Sequence, residues 1–177
     1  MFASRTFVGT SHSHSQGGFT AIELMVVVAI VAVLAALAAP SFSPLIERWR
    51  VRSAAESLVS NLYAARSEAI MRGGGISIIA DATGWSGGWK ISHTQGAVTN
   101  DLQITAAPTK TSITLASGDG TIYVDRWGMM SITVGGAPIA MDFLITAVNK
   151  TSADYGSLRL CTGLGGRIHQ KKGSESC

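Results

Sequence analysis

The sequence is poor in cysteine, in charge and in catalytic signatures, and each shortage excludes a class of protein. Its only cysteines are Cys161 and Cys177, and neither their spacing nor their neighbours suggest a metal site. No G-x-S-x-G, P-loop, H-E-x-x-H or C-x-x-C occurs, so the common hydrolase, nucleotide, zinc-protease and dithiol chemistries have no foothold. The histidines are His12, His14, His93 and His169. The first two sit in a polar leading segment, and His93 stands alone on a predicted strand with a solvent-facing side chain. Asp81, Asp101, Asp119 and Asp125 fall at predicted turns and strand ends, where aspartate is favoured for backbone reasons. No enzyme and no cofactor are implied. Net charge is +3, too modest by itself to argue for nucleic acid. Long apolar runs are also missing, with one exception, so the positive mean hydropathy of +0.29 does not indicate a polytopic membrane protein.

The exception is Gly17 to Pro40, GGFTAIELMVVVAIVAVLAALAAP. From Phe19 to Ala39 its only charge is Glu23. A helix there, rising about 1.5 Å per residue, just covers a bilayer core of roughly 30 Å, so a membrane helix is expected. A carboxylate in hydrocarbon costs about 2.5 kcal/mol or more, which asks for a partner. The preceding segment, Met1 to Gly18, is polar, carries Arg5, His12 and His14, and has no acid. A secretory cleavage site would follow the apolar core. Here the small residues Gly17 and Gly18 precede it, so a cut there would leave the helix on the mature protein.

Gly18-Phe-Thr-x-Ile-Glu-Leu-Met-Val-Val-Val-Ala-Ile resembles the class III signal of type IV prepilins and of type II secretion pseudopilins. The resemblance implies that residues 1–18 are a leader, that a membrane-embedded prepilin peptidase cleaves between Gly18 and Phe19, and that Phe19 is then N-methylated. It also implies a transmembrane and filament-core helix over 19–40, in which Pro40 loosens the helix. In such a core each new N-terminal amine is a buried positive charge, and Glu23 of a neighbouring helix would neutralise it. The implied location is the inner membrane, single-pass, with the C-terminal domain in the periplasm, and later a pilus or pseudopilus built with other pilins.

After Pro40 the pattern becomes amphipathic. Leu45, Trp49, Ala55, Leu58, Val59, Leu62, Ala69 and Ile70 recur at three- and four-residue steps, the stripe of a half-buried helix. Pro40 and Pro44 predict a bend, and Gly73-Gly74-Gly75 ends the helix. One long helix over about 19–72 is expected, its 41–72 half continuing into the globular domain. From Ile76 on, short period-two runs alternate with turn signals at Asp81–Gly88, Gly118–Gly120 and Gly135-Gly136. The predicted strands include Ile76–Ile79, Trp89–Ser92, Thr121–Asp125, Ser131–Val134, Met141–Thr146 and Leu158–Cys161. The fold class is therefore α+β, with an antiparallel sheet domain over 73–177 packed on the helix. Trp85-Ser-Gly-Gly-Trp-Lys-Ile and the Glu68-Ala-Ile run look like signatures of the GspH/FimT branch of minor pilins.

The last stretch is basic. Between Asp154 and Glu175 there is no acid, while Arg159, Arg167, Lys171 and Lys172 are positive and His169 is titratable. In an exported domain Cys161 and Cys177 read as a disulfide, with two free thiols as the alternative. A basic loop so held is suited to phosphate contact, whereas a solvated basic edge strand would serve only to blunt pairing. FimT-like pilins carry a C-terminal Gly-Arg-x-Arg implicated in DNA capture. Here it reads Gly166-Arg167-Ile168-His169, with histidine for the second arginine. The resemblance thus implies a structural subunit of a type II secretion pseudopilus or type IV pilus. One alternative is a DNA-binding minor pilin using Arg167, His169, Lys171 and Lys172. The other is a membrane-anchored periplasmic β-domain that never polymerises.

Overall fold

The computed structural model describes residues 18–38, 42–118 and 120–177. Two compact units result, Met1–Ser41 and Phe42–Cys177. In the first, helix α1 spans Ala21–Ala38. Thr20 sets its start: the Thr20 hydroxyl accepts the Glu23 N–H at 3.2 Å, and the Thr20 carbonyl accepts the Leu24 N–H at 3.2 Å. That is N-cap geometry, and it places Glu23 in the first turn, where a carboxylate interacts favourably with the helix dipole. The helix is 18 residues long, about 27 Å at the usual rise. Among the described residues no helix is long and apolar enough to cross a membrane. Within the span expected over 19–40 the helix begins at Ala21, after the cap at Thr20, and the expected end at Pro40 lies outside the described residues.

In the second unit, α2 spans Ser43–Arg72, with a proline in its first two positions. Pro44 is tolerated there because the first-turn N–H it lacks would have no helical partner. Gly73 ends the helix in the left-handed conformation, at φ 78°. The single helix expected over 19–72 is described as α1 and α2, and whether it runs on through residues 39–41 lies outside the described residues. Its apolar stripe also differs from expectation. The buried face is Val51, Ala54, Ala55, Leu58, Asn61, Leu62, Ala65 and Ala69, while Leu45, Trp49 and Ile70 are 59%, 68% and 57% exposed. The buried residues of α2 begin at Val51, and its first two turns keep their apolar side chains in the open.

Nine strands follow: β1 Ile76–Asp81, β2 Gly84–Gln95, β3 Val98–Ala106, β4 Thr111–Leu115, β5 Thr121–Val124, β6 Met130–Ser131, β7 Asp142–Ala147, β8 Leu158–Thr162 and β9 Ile168–Lys172. They form a five-stranded sheet of order β3-β2-β1-β5-β6 and a four-stranded sheet of order β4-β7-β8-β9. Every pairing is antiparallel. Both sheets pack on α2, and Leu58, Leu62, Ile76, Ile78, Ile122, Phe143, Ile145 and Leu160 form one core between them. The sheets meet at β2 and β4, where the Ser86 hydroxyl accepts the Ile113 N–H at 2.9 Å and donates to the Ile113 carbonyl at 3.2 Å. Asn61 ties α2 to β3 by accepting from the Thr105 hydroxyl at 3.1 Å.

Four sequence expectations shift. The turn expected over Asp81–Gly88 is confined to residues 82–83, since β2 already begins at Gly84. Gly88, at φ 101° with the Thr105 carbonyl against the place its Cβ would occupy, lets β2 pass close to β3. The strand expected over Ser131–Val134 stops at Ser131, where the Ser131 hydroxyl donates to the Thr133 carbonyl at 2.7 Å and turns the chain. His93 is half-buried, because it stands opposite the buried Ile76 and so shares the helix-facing side of the sheet. Finally, residues 168–172 are a strand, not a loop.

Candidate functional site

The residues singled out in the sequence fall in two places. In the first unit, Gly18 and Phe19 precede α1, and Phe19 is 86% exposed. Glu23 lies in the first turn of α1, and from Ile22 to Leu37 the apolar side chains of the helix are exposed around its circumference. A helix apolar on every side has no polar face of its own to keep in water. Residues Met1–Gly17, with His12 and His14, lie with Pro40 and Asp119 outside the described residues.

In the second unit, Cys161 and Cys177 form a disulfide with Cα atoms 5.4 Å apart. It fastens the C-terminal tail to β8, and the Lys171 ammonium donates to the Ser176 carbonyl at 2.9 Å beside it. Strand β9 is the edge of its sheet. Register pairs Arg159 with Lys171 and Cys161 with His169, so alternation sets these four on the face away from the core. Lys172 points to the other side. Arg159 is neutralised by Asp142 at 2.5 Å, both half-buried, and its Nε also donates to the Gly173 carbonyl at 3.2 Å. Arg167, His169 and Lys172 are exposed. The strand thus gathers His169 and Lys171 on one face with Arg167 at its entry, and separates Lys172 from them.

Sequence reasoning missed the residue that positions this hairpin. Arg66, on α2, points its guanidinium at three backbone carbonyls. Nε donates to Gly128 at 2.8 Å, one Nη to Gly166, and the other to Gly165 at 3.2 Å. Gly128 belongs to the β5–β6 turn and Gly165-Gly166 to the β8–β9 turn, so one side chain staples a loop of each sheet to the helix. A planar fork of five donors suits this role as an ammonium does not. Gly166 adopts φ 73°, and a Cβ there would lie on the guanidinium. The GR pair is thus partly structural: Gly166 makes room for Arg66, and Arg167 follows it into solvent. In the sequence Arg66 is one more charge off the apolar stripe, and no local signal marks it.

Three carboxylates are held below their ordinary value, each by hydroxyl and N–H donors. The Thr83 backbone N–H and then its hydroxyl act on Asp81, the Ser92 hydroxyl and then Lys90 on Asp101, and the Thr151 backbone N–H and then its hydroxyl on Asp154. All are turn or ladder fixtures. Among the described residues no group of His, Cys, Asp and Glu is gathered as a metal ion would require. Trp85 and Trp89 are buried, with Trp85 edge-on to Phe143 at 5.1 Å. They are core.

Comparison with known proteins agrees with this architecture. The family described as type II transport protein GspH matches residues 54–169, and the prokaryotic N-terminal methylation motif matches residues 13–39. Two crystal forms of the Pseudomonas aeruginosa type IV minor pilin FimU are similar at 26% identity. One has a TM-score of 0.59, covering 72% of this chain and 92% of that one; the other has 0.56, covering 70% and 94%. The minor pseudopilin EpsH of the Vibrio cholerae type 2 secretion system shares the fold at 13% identity, with a TM-score of 0.53 and coverage of 71% and 99%. No curated protein sequence matches.

Proposed function

The chain belongs to the GspH family of minor pilins and pseudopilins, and we propose that it is a filament subunit, processed between Gly18 and Phe19 and methylated at Phe19. The observation that carries this reading is α1: apolar on all sides, exposed along its length, with Glu23 in its first turn. Such a helix rests in the inner membrane as a single pass before assembly. In the filament it packs among the helices of other pilins, and Glu23 answers the new N-terminal amine of a neighbour. The second unit, which lies on the periplasmic side, exposes Leu45, Ile46 and Trp49 at the start of α2. The 26% identity to FimU, a type IV minor pilin, favours a type IV pilus over a secretion pseudopilus. The test is incorporation: in sheared surface filaments wild-type protein is present, Glu23→Gln is reduced and Glu23→Ala is nearly absent. Normal incorporation of Glu23→Ala would remove the register role.

A second reading rests on the β9 hairpin. Arg167 and His169 are exposed and without ion pairs among the described residues, and Arg66 fixes the turn from which Arg167 projects. That is a surface for a nucleic-acid backbone. In mobility-shift titrations, Arg167→Ala should weaken DNA binding uniformly across sequences and lower the salt slope by about 1. An unchanged slope would leave β9 a charged edge that discourages strand pairing.

A further inference from the structure

Away from the core, the five-stranded sheet carries a row of hydroxyl side chains across its strands. Ser92 on β2 stands opposite Ser77 on β1, Ser77 opposite Tyr123 on β5, and Tyr123 opposite Ser131 on β6. Over the β1-β5-β6 end of this row the turn after β5 and the loop after β6 rise to make an open cleft of about 670 Å³, also lined by Thr94, Arg126 and Trp127. That volume lies within the range of small-ligand sites, roughly 300–1,000 Å³. Ser77 is only 7% exposed, yet neither its hydroxyl nor the Tyr123 phenol has a partner among the described residues. Trp127 stands at the rim, 69% exposed. It is held there because Asp125 accepts the Trp127 N–H at 2.9 Å and the Met129 N–H at 2.8 Å, while Arg66 anchors Gly128. These bonds fix the backbone of the turn, and the exposed indole it carries contributes nothing to the core.

The lining selects among ligands. Its only charged residues are Asp125 and Arg126. Asp125 is committed to the turn and Arg126 lies over the Trp127 ring at 5.4 Å, so the cleft holds no excess charge for a polyanion. A peptide strand finds no edge either. The outer side of β6 is occupied by the Ile139 N–H, which donates to the Met130 carbonyl at 3.0 Å, and β1 is paired on both sides. What remains is the free hydroxyls of Ser77 and Tyr123 and the Ser131 oxygen as an acceptor, beside the apolar Met129, Val134 and Pro138, with Trp127 exposed at the rim and glycines 73–75 and 135–136 as low walls. A ligand with many hydroxyls and an apolar ring face matches it. We propose that this cleft binds a neutral oligosaccharide, with one sugar ring on Trp127 and its hydroxyls on Ser77, Tyr123 and Ser131. This goes beyond the filament reading and does not depend on it.

The test is titration calorimetry and tryptophan fluorescence of the full chain in a sugar-free detergent, with chitotetraose and maltotetraose as probes. Saturable binding of at least one is expected. Trp127→Ala should weaken it about tenfold or more, the loss of roughly 1.4 kcal/mol, and Ser77→Ala with Tyr123→Phe should weaken it by a smaller factor. Arg167→Ala should leave it unchanged. Trp127 is exposed, so its variant should keep the wild-type melting temperature. If neither sugar binds, or if binding survives Trp127→Ala and Tyr123→Phe, the proposal is wrong. Saturation of the same residues by a peptide and not by a sugar would overturn it equally.

Discussion

Arg66→Met removes one cation and three donors while keeping most of the aliphatic stem. Three backbone carbonyls, those of Gly128, Gly165 and Gly166, lose their partner at once. A hydrogen bond from a charged donor contributes about 1.5–3 kcal/mol. These three share one half-exposed side chain, and the freed carbonyls can turn to water, so their effects do not add fully. We predict a loss of about 2–4 kcal/mol in urea unfolding of the Phe42–Cys177 unit, with an unchanged slope. Arg66→Lys, with a single point charge, should recover less than half of it. The diagnostic readout is hydrogen exchange: residues 125–129 and 163–167 should lose protection together, although they belong to different sheets. Leu62→Ala, a fully buried core truncation costing about 2–5 kcal/mol, should lower protection generally without singling out these turns. If Arg66→Met costs less than about 0.5 kcal/mol, or frees only one of the two turns, the staple is not what holds the hairpin.

Reduction of Cys161–Cys177, which lie 16 residues apart, should lower stability by about 3 kcal/mol in the chain-entropy account, and Cys177→Ser should match the reduced protein in denaturant melts. Arg159→Ala strands the half-buried Asp142 carboxylate and frees the Gly173 carbonyl; a loss of about 2–3 kcal/mol is expected, and Asp142→Asn should partly rescue it. Asp81, Asp101 and Asp154 lie below their ordinary value of 3.8, so their contribution is present above that pH and fades as pH falls through their folded-state values. Acid melts should therefore show stability declining below about pH 4, with a smaller decline in Thr83→Ala and Thr151→Ala together.

Much of the scaffold was legible in the sequence because it rests on local signals. The apolar run with its glycine and Glu23, the glycine stop after Arg72 and the alternation of β1, β5 and β7 each speak within a few residues. What escaped depends on tertiary partners. Leu45, Trp49 and Ile70 fit the helical stripe by period, but no strand reaches them. Gly84 to Gly88 read as a turn by composition, yet the sheet pulls Trp85 and Trp89 into the core and uses Gly88 for close approach. The two sheets are joined by the Ser86 stitch to Ile113, a contact between distant segments. Arg66 was the largest omission at the site, since its three acceptors lie on turns 62 to 100 residues away.

The central claim is that this chain is cut to expose α1 and then built into a filament by it. Intact mass of the protein from membranes, with and without the prepilin peptidase, tests that most directly. We predict a peptidase-dependent product that begins at methylated Phe19. A chain that still begins at Met1 in the presence of the peptidase, or one cut after Ala39, would contradict it, since neither could present the helix and amine that Glu23 is there to pair.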